Sequence, residues 1–215
     1  MSNVPKESIR LLRDVDAYMI PSGDEVKLLA GNLVKITQAL GGNYTVIMNG
    51  NMVQITSENA DALGIELNEQ TFSKPKGDLE QQIWDQLKTC YDPEIPVNIV
   101  ELGLIYDLQI NDLRDEKEVT IKMTLTAPGC GMGPVIAEEV DRKINGLEGV
   151  GKVSVDLVWE PMWNRDMMSE EAQLELGMMY CHSLQIKLNL IFQFFTIQIL
   201  YTWIVQQLLK NHKLF

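Results

Sequence analysis

Cysteine is scarce in this 215-residue chain, with only Cys90, Cys130 and Cys181 present. Three scattered thiols exclude a disulfide framework. No two of them have CxxC spacing, so the sequence holds no complete structural zinc site. Positive charge is also short: 18 Lys and Arg stand against 30 Asp and Glu, for a net charge of −12. Such a chain lacks the basic face that nucleic-acid phosphates require, and nucleic acid is not an expected partner. The first twenty residues mix charges with apolar side chains and contain no continuous apolar run, so no secretory leader is read there. A reducing cytoplasm is the expected compartment.

Two further absences divide the chain. No Asp or Glu occurs from Cys181 onward, and neither histidine (His182, His212) occurs before it. Four of the five Phe also lie in this last stretch. Residues 181–215 therefore read as a separate apolar tail. Its most apolar part, 188–205, is at the short limit for a membrane span. Asn189, Gln193 and Gln198 interrupt it, so a membrane partner is not expected. A loosely attached interfacial or partner helix, or an out-of-frame extension, remain as its alternatives.

Ahead of the tail, residues 1–72 read as a small β-rich module. Runs at 25–29, 33–37, 44–48 and 51–55 have strand character, and Asn49-Gly50 between the last two is a strong hairpin signal. Residues 73–78 form a linker. Asp78, three residues before Gln81, caps a helix whose stripe is Leu79, Ile83, Trp84, Leu87 and Cys90. That helix should stop near Tyr91, because Pro93 disfavours the helical conformation at Asp92. Strands follow at 104–110 and 119–126, the second with clean alternation of Val119, Ile121, Met123 and Leu125 against polar residues. A helix opening at Pro134 places Val135, Ile136, Val140 and Ile144 inward and Glu138, Glu139, Asp141 and Arg142 outward. It ends at Asn145-Gly146, and a strand at 153–159 closes the unit. Residues 79–165 thus read as a two-layer α-β-β-α-β sandwich of the α/β (α+β) class. A short acidic helix at 166–180, capped by Ser169, comes next.

The chemistry concentrates at two loops. Cys130 lies between a strand end and a helix start, flanked by Gly129, Gly131 and Gly133. Glycines permit close approach of a bulky ligand, and helix N–H groups favour the thiolate that ligates metal. Asp92-Pro-Glu94-Ile-Pro96 is a proline-braced loop with two carboxylates, which can bind a metal, act as a base or cap backbone N–H groups. Cys90 on the apolar stripe reads as a buried structural thiol. Trp159-Glu-Pro-Met-Trp163 is a strand end with two aromatics, read as core edge.

Three segments are similar to one family: Tyr91-Asp-Pro-Glu-Ile-Pro-Val-Asn-Ile-Val-Glu-Leu-Gly-Leu-Ile105, Met123-Thr-Leu-Thr-Ala-Pro-Gly-Cys-Gly-Met132 and Val155-Asp-Leu-Val-Trp-Glu-Pro-Met-Trp163. They resemble the iron–sulfur cluster assembly (FSCA) domain. The β-rich front, with Pro21-Ser-Gly, Thr37-Gln-Ala-Leu-Gly-Gly42 and Asp61-Ala-Leu-Gly64, resembles the extension of SufT-type bacterial members. The resemblance implies a maturation factor rather than an enzyme. It implies Cys130 as the functional thiol, and Asp92 and Glu94 match the family's acidic loop; Gly129 and Gly131 are candidate cluster-binding neighbours of Cys130, and Asp92 and Glu94 candidate metal ligands beside it. The resemblance also implies partners among assembly proteins and client apoproteins. One thiolate cannot saturate an iron–sulfur cluster, which takes about four ligands. A bound cluster would be transient, shared across a homodimer or with a client's thiols. A scaffold that carries no cluster stays open as the alternative. A thiol enzyme using Cys130 is weaker, since both histidines lie in the tail.

Overall fold

The computed structural model describes residues 8–65 and 77–178. The tail 181–215 and linker residues 73–76 lie outside the described residues, as do 66–72 and the end of the acidic helix region at 179–180. Residues Met1–Ala172 make one compact unit and Gln173–Phe215 a second.

The front half is a six-stranded antiparallel sheet. Its strands are β1 (Ile9–Arg10), β2 (Val15–Ile20), β3 (Glu25–Leu28), β4 (Leu33–Leu40), β5 (Asn43–Met48) and β6 (Asn51–Ile55), in the order β1-β4-β5-β6-β2-β3. β2 is absent from the sequence expectation, because its inward residues Val15, Ala17 and Ile20 do not keep strict alternation. The Asn49-Gly50 hairpin is present, with φ of 49° and 85° and Met48 opposite Asn51. A 3-10 turn at Ser57–Leu63 covers one end. The sheet has its own core of Leu28, Val34, Ile36, Val46, Val53 and Ile55. Each such side chain contributes about 1.5–3 kcal/mol when removed from water.

The second part runs α1 (Leu79–Leu87), β7 (Ile105–Leu113), β8 (Glu116–Met123), α2 (Gly133–Asn145) and β9 (Val150–Leu157). The class is mixed α/β, as expected. β8 is central, antiparallel to β7 and parallel to β9. Val119, Ile121 and Met123 are fully buried while Lys122 is exposed, so the alternation was a sound guide. Asp78 caps α1 by accepting from Gln81 N–H at 3.0 Å. α1 ends at Leu87, earlier than expected, where the Thr89 hydroxyl donates to the Gln86 carbonyl at 2.7 Å. The Ser169 hydroxyl accepts from Ala172 N–H at 3.1 Å, the cap of α3 (Glu170–Glu175).

One helix face departs from expectation. α2 buries Ile136, Val140 and Ile144, but it also buries Glu139, which is 5% exposed. Glu139 was expected to face solvent. It meets the front sheet instead: Asn43 Nδ2 donates to Glu139 Oε2 at 2.7 Å. Lys143, one turn on, pairs with Oε1 at 2.7 Å and donates to the carbonyls of Thr89 (2.8 Å) and Gly41 (3.2 Å). A carboxylate can be buried here because a cation and an amide are buried with it. No helix among the described residues is long and apolar enough to cross a membrane.

Candidate functional site

Cys130 sits in the loop joining β8 to α2. The loop closes on itself: Cys130 N–H donates to the Ala127 carbonyl at 3.3 Å, and Gly133 N–H to the Cys130 carbonyl at 3.2 Å. Pro134 is the second residue of α2 rather than its first. The thiol is free and half-buried. Gly129 takes φ of 80° with open space on the side a Cβ would occupy. Gly131 differs. A Cβ there would lie 1.7 Å from the Ser22 carbonyl oxygen, and one on Gly23 would lie 2.0 Å from the Gly131 oxygen. The room left by the missing side chain of Gly131 is thus filled by the β2–β3 turn of the front sheet.

The acidic loop 91–98 follows α1. Asp92 is 8% exposed, and its Oδ1 accepts the N–H groups of Glu94 and Ile95, both at 2.8 Å. Asp92 therefore serves its own loop as a backbone cap. Burial raises its pKa above the usual carboxylate range, and the two N–H bonds oppose that rise. Glu94 is exposed. The front sheet holds this loop too. Gln38 Nε2 donates to the Asp92 carbonyl at 3.0 Å, and the Thr45 hydroxyl to the Pro93 carbonyl at 3.1 Å.

The two loops share one electrostatic neighbourhood. Partial burial pushes the Cys130 thiol up, the N–H of Met132 pulls it down, and the carboxylates of Asp92 and Glu94 push it up again. The net direction is upward. This corrects the expectation that the helix start would favour the thiolate: the N–H effect is present but outweighed. The fold therefore favours the protonated form of the Cys130 thiol. A bound metal ion would displace that proton, as thiol ligands release theirs on coordination. Among the described residues, no group of three or more His, Cys, Asp or Glu side chains is placed to hold a metal ion. Cys130, Asp92 and Glu94 do not close such a set by themselves.

Cys90 is a contrast in the same fold. It is fully buried, touches the Gln86 carbonyl at 3.7 Å, and burial pushes its pKa up to about 12. It is a packing residue, in line with its place on the apolar stripe. At the end of β9, Trp163 donates its indole N–H to the Leu102 carbonyl at 2.8 Å and is core edge. Trp159 and Met162 are exposed. Sequence reasoning missed Gln38, Asn43, Thr45 and Lys143. Of these, only the Glu139–Lys143 spacing was a visible signal, as an i,i+4 pair.

The iron–sulfur cluster assembly protein family profile matches residues 80–155, which span α1 to β9 and include both loops. Over 98 residues the chain is 52% identical to a Fe-S protein maturation auxiliary factor of Porphyromonas gingivalis, covering 46% of this chain and 90% of that protein. It is 40% identical to the Fe-S protein maturation auxiliary factor YitW of Bacillus subtilis, covering 46% and 94%. It is 41% identical to the Fe-S protein maturation auxiliary factor SufT of Staphylococcus aureus, covering 40% and 94%. With an identity above one half across nearly the whole of one such relative, and both motif loops inside the matched region, the chain belongs to the iron–sulfur cluster assembly protein family.

Proposed function

We propose that this protein is an auxiliary factor in iron–sulfur protein maturation that handles a cluster, as cargo, through Cys130. One observation carries this reading: a free, solvent-reachable thiol stands on a glycine loop within the segment matched by the family. The names of the three relatives above, each a maturation auxiliary factor, support it. The chain offers a single thiol at this place, and a cluster takes about four ligands. The remaining ligands come from a second copy, a partner or the client. On binding, the Cys130 Sγ–H bond gives its proton to solvent as Sγ bonds iron. On release, a client thiolate replaces Sγ, which takes a proton back. No electron changes hands, and the chain is not an enzyme in this reading. Asp92, committed to its own loop, tunes the thiol rather than ligating iron. Glu94, exposed beside it, is the carboxylate free to reach a bound cluster. The cytoplasm, where thiols stay reduced, is the compartment in which this chemistry works.

Anaerobic reconstitution with iron and sulfide tests the proposal. Wild type gains a visible absorbance band and Cys130→Ala does not, while both show the same far-ultraviolet circular dichroism. An equal band in both proteins, or none in either, moves the function to a scaffold. The scaffold reading draws on the front sheet, which grips both loops through Gly23, Gln38 and Thr45. It expects clients to mature normally with Cys130→Ala.

A further inference from the structure

The sheet β7-β8-β9 ends on β9, which borders no further strand among the described residues. Such an edge leaves a row of N–H and C=O groups open to another strand. The edge is accessible: Gly151, Lys152 and Asp156 are exposed, and Val153, Ser154 and Val155 are half-buried. The two faces of β9 differ. Val153 and Val155 stand opposite Val119 and Ile121 of β8, on the side of the core. Lys152, Ser154 and Asp156 stand opposite Glu118, Thr120 and Lys122, on the other side.

A charged residue on an edge strand ordinarily guards against pairing. Here the charges select one pairing instead. Across the outer face the rows read Asn111–Glu118–Lys152, then Gln109–Thr120–Ser154, then Asp107–Lys122–Asp156. Let a second β9 run antiparallel to the first, with Ser154 opposite Ser154. Lys152 then meets Asp156 twice, and on the core side Val153 meets Val155 twice. The end rows join as Glu118–Lys152–Asp156–Lys122–Asp107, alternating in sign at every step. Lys152 can serve both neighbours, because it pairs with Glu118 while 61% of its side chain stays exposed. Asp156 is exposed and in no ion pair among the described residues. Other registers lose this match. A slide of one residue turns the core side of one strand against the outer side of the other. A slide of two leaves both charges without their partners.

We infer that β9 pairs antiparallel with β9 of a second copy of this chain, joining the two sheets into one about a two-fold axis at Ser154. The contact is isologous: each copy gives the same strand and receives the same strand. α2 lies along β9, and on the flank away from Glu139 it carries the short Ala137, which lets the two helices run side by side. The two β8 strands run in opposite directions in this pair. Their Met123 ends, from which the Cys130 loops depart, lie roughly 25 Å apart. A cluster is therefore not shared across this contact, and the ligands beyond Cys130 come from a client or another partner. That last step rests on the cluster reading above, whereas the contact itself does not.

Sedimentation equilibrium of the full chain at low salt tests the contact. Wild type should show a concentration-dependent monomer–dimer equilibrium. Lys152→Asp and Asp156→Lys each set like charges opposite one another twice, so each variant alone should associate about tenfold more weakly. Mixed in equal amounts, the two variants should pair with each other at close to the wild-type Kd. In that mixed pair the introduced aspartate faces the introduced lysine, and the native Asp156 of one copy faces the native Lys152 of the other. The control Lys35→Asp makes the same charge change on the front sheet and should leave Kd within about twofold. Lys152→Gln removes the attraction without adding repulsion. It should weaken pairing about threefold, and it keeps the test sound if circular dichroism shows a charge reversal to fold poorly. A monomer at every concentration overturns the inference. So does a dimer that neither reversal weakens, as association through residues 181–215 would be, and so does failure of the two folded variants to pair when mixed. All of this is read without iron, and so stands apart from the reconstitution of Cys130.

Discussion

The front sheet meets the cluster-assembly domain in two unlike ways. At Cys130 it offers bare backbone: Gly23 and Gly131 approach so closely that neither tolerates a Cβ. At α2 and the acidic loop it uses polar side chains, through Asn43, Gln38 and Thr45. The difference concerns tolerance. A backbone contact fails when an atom is added, whereas a polar contact fails when one is removed. Both put the position of a candidate-site loop under the control of a sheet outside the matched region 80–155.

The buried polar contact should break hardest. Lys143→Met leaves Glu139 charged and buried against Asn43, with no cation. Removing one partner of a buried pair costs about 3–5 kcal/mol. Denaturant unfolding should show a loss of that size, and Glu139→Gln combined with Lys143→Met should recover much of it. A single-variant loss below about 1 kcal/mol would show that water reaches the pair.

The backbone contact comes next. Gly131→Ala forces its methyl into the Ser22 carbonyl, which as backbone cannot swing aside. Overpacking of this kind costs about 1–3 kcal/mol. The strain falls on the loop of Cys130, so thiol alkylation should accelerate as the loop lifts from the turn. Gly129→Ala, with open space but φ of 80°, strains the backbone without moving the sheet, and separates the two effects. Thr45→Val and Gln38→Leu should each cost about 1 kcal/mol by urea unfolding, the ordinary worth of one hydrogen bond.

How far these contacts were legible depended on sequence distance. The Asp78 cap, the Ser169 cap, the Asn49-Gly50 hairpin and the alternation of Val119, Ile121 and Met123 are set by neighbours within a few residues. All of them could be read. Asn43 and Glu139 are 96 residues apart, and Gln38 and Asp92 are 54 apart. A glutamate on an outer helix face looks the same in sequence whether water or a sheet will meet it. The place of the Cys130 loop, between a strand and a helix, was legible because its glycines and helix start are local. Its electrostatics were misjudged, because the burial and the two carboxylates that raise its pKa come from elsewhere in the fold.

The smallest effect bears most directly on the thiol. Glu94 is exposed and is one of two carboxylates raising the pKa of Cys130. Glu94→Gln removes one negative neighbour, so the thiolate forms at lower pH. Since only the thiolate attacks iodoacetamide, alkylation at a fixed pH below the thiol's pKa should quicken, by a few-fold for a charge this exposed. The gain should fade above the pKa, where both proteins are already thiolate. It should also shrink with added salt, which screens an exposed charge but not the burial that is the larger cause. Asp92→Asn should act in the same direction with less sensitivity to salt, because Asp92 is buried. If neither variant moves the rate at any pH, the acidic loop does not tune the thiol, and its prolines and carboxylates serve only to shape the turn that the front sheet holds.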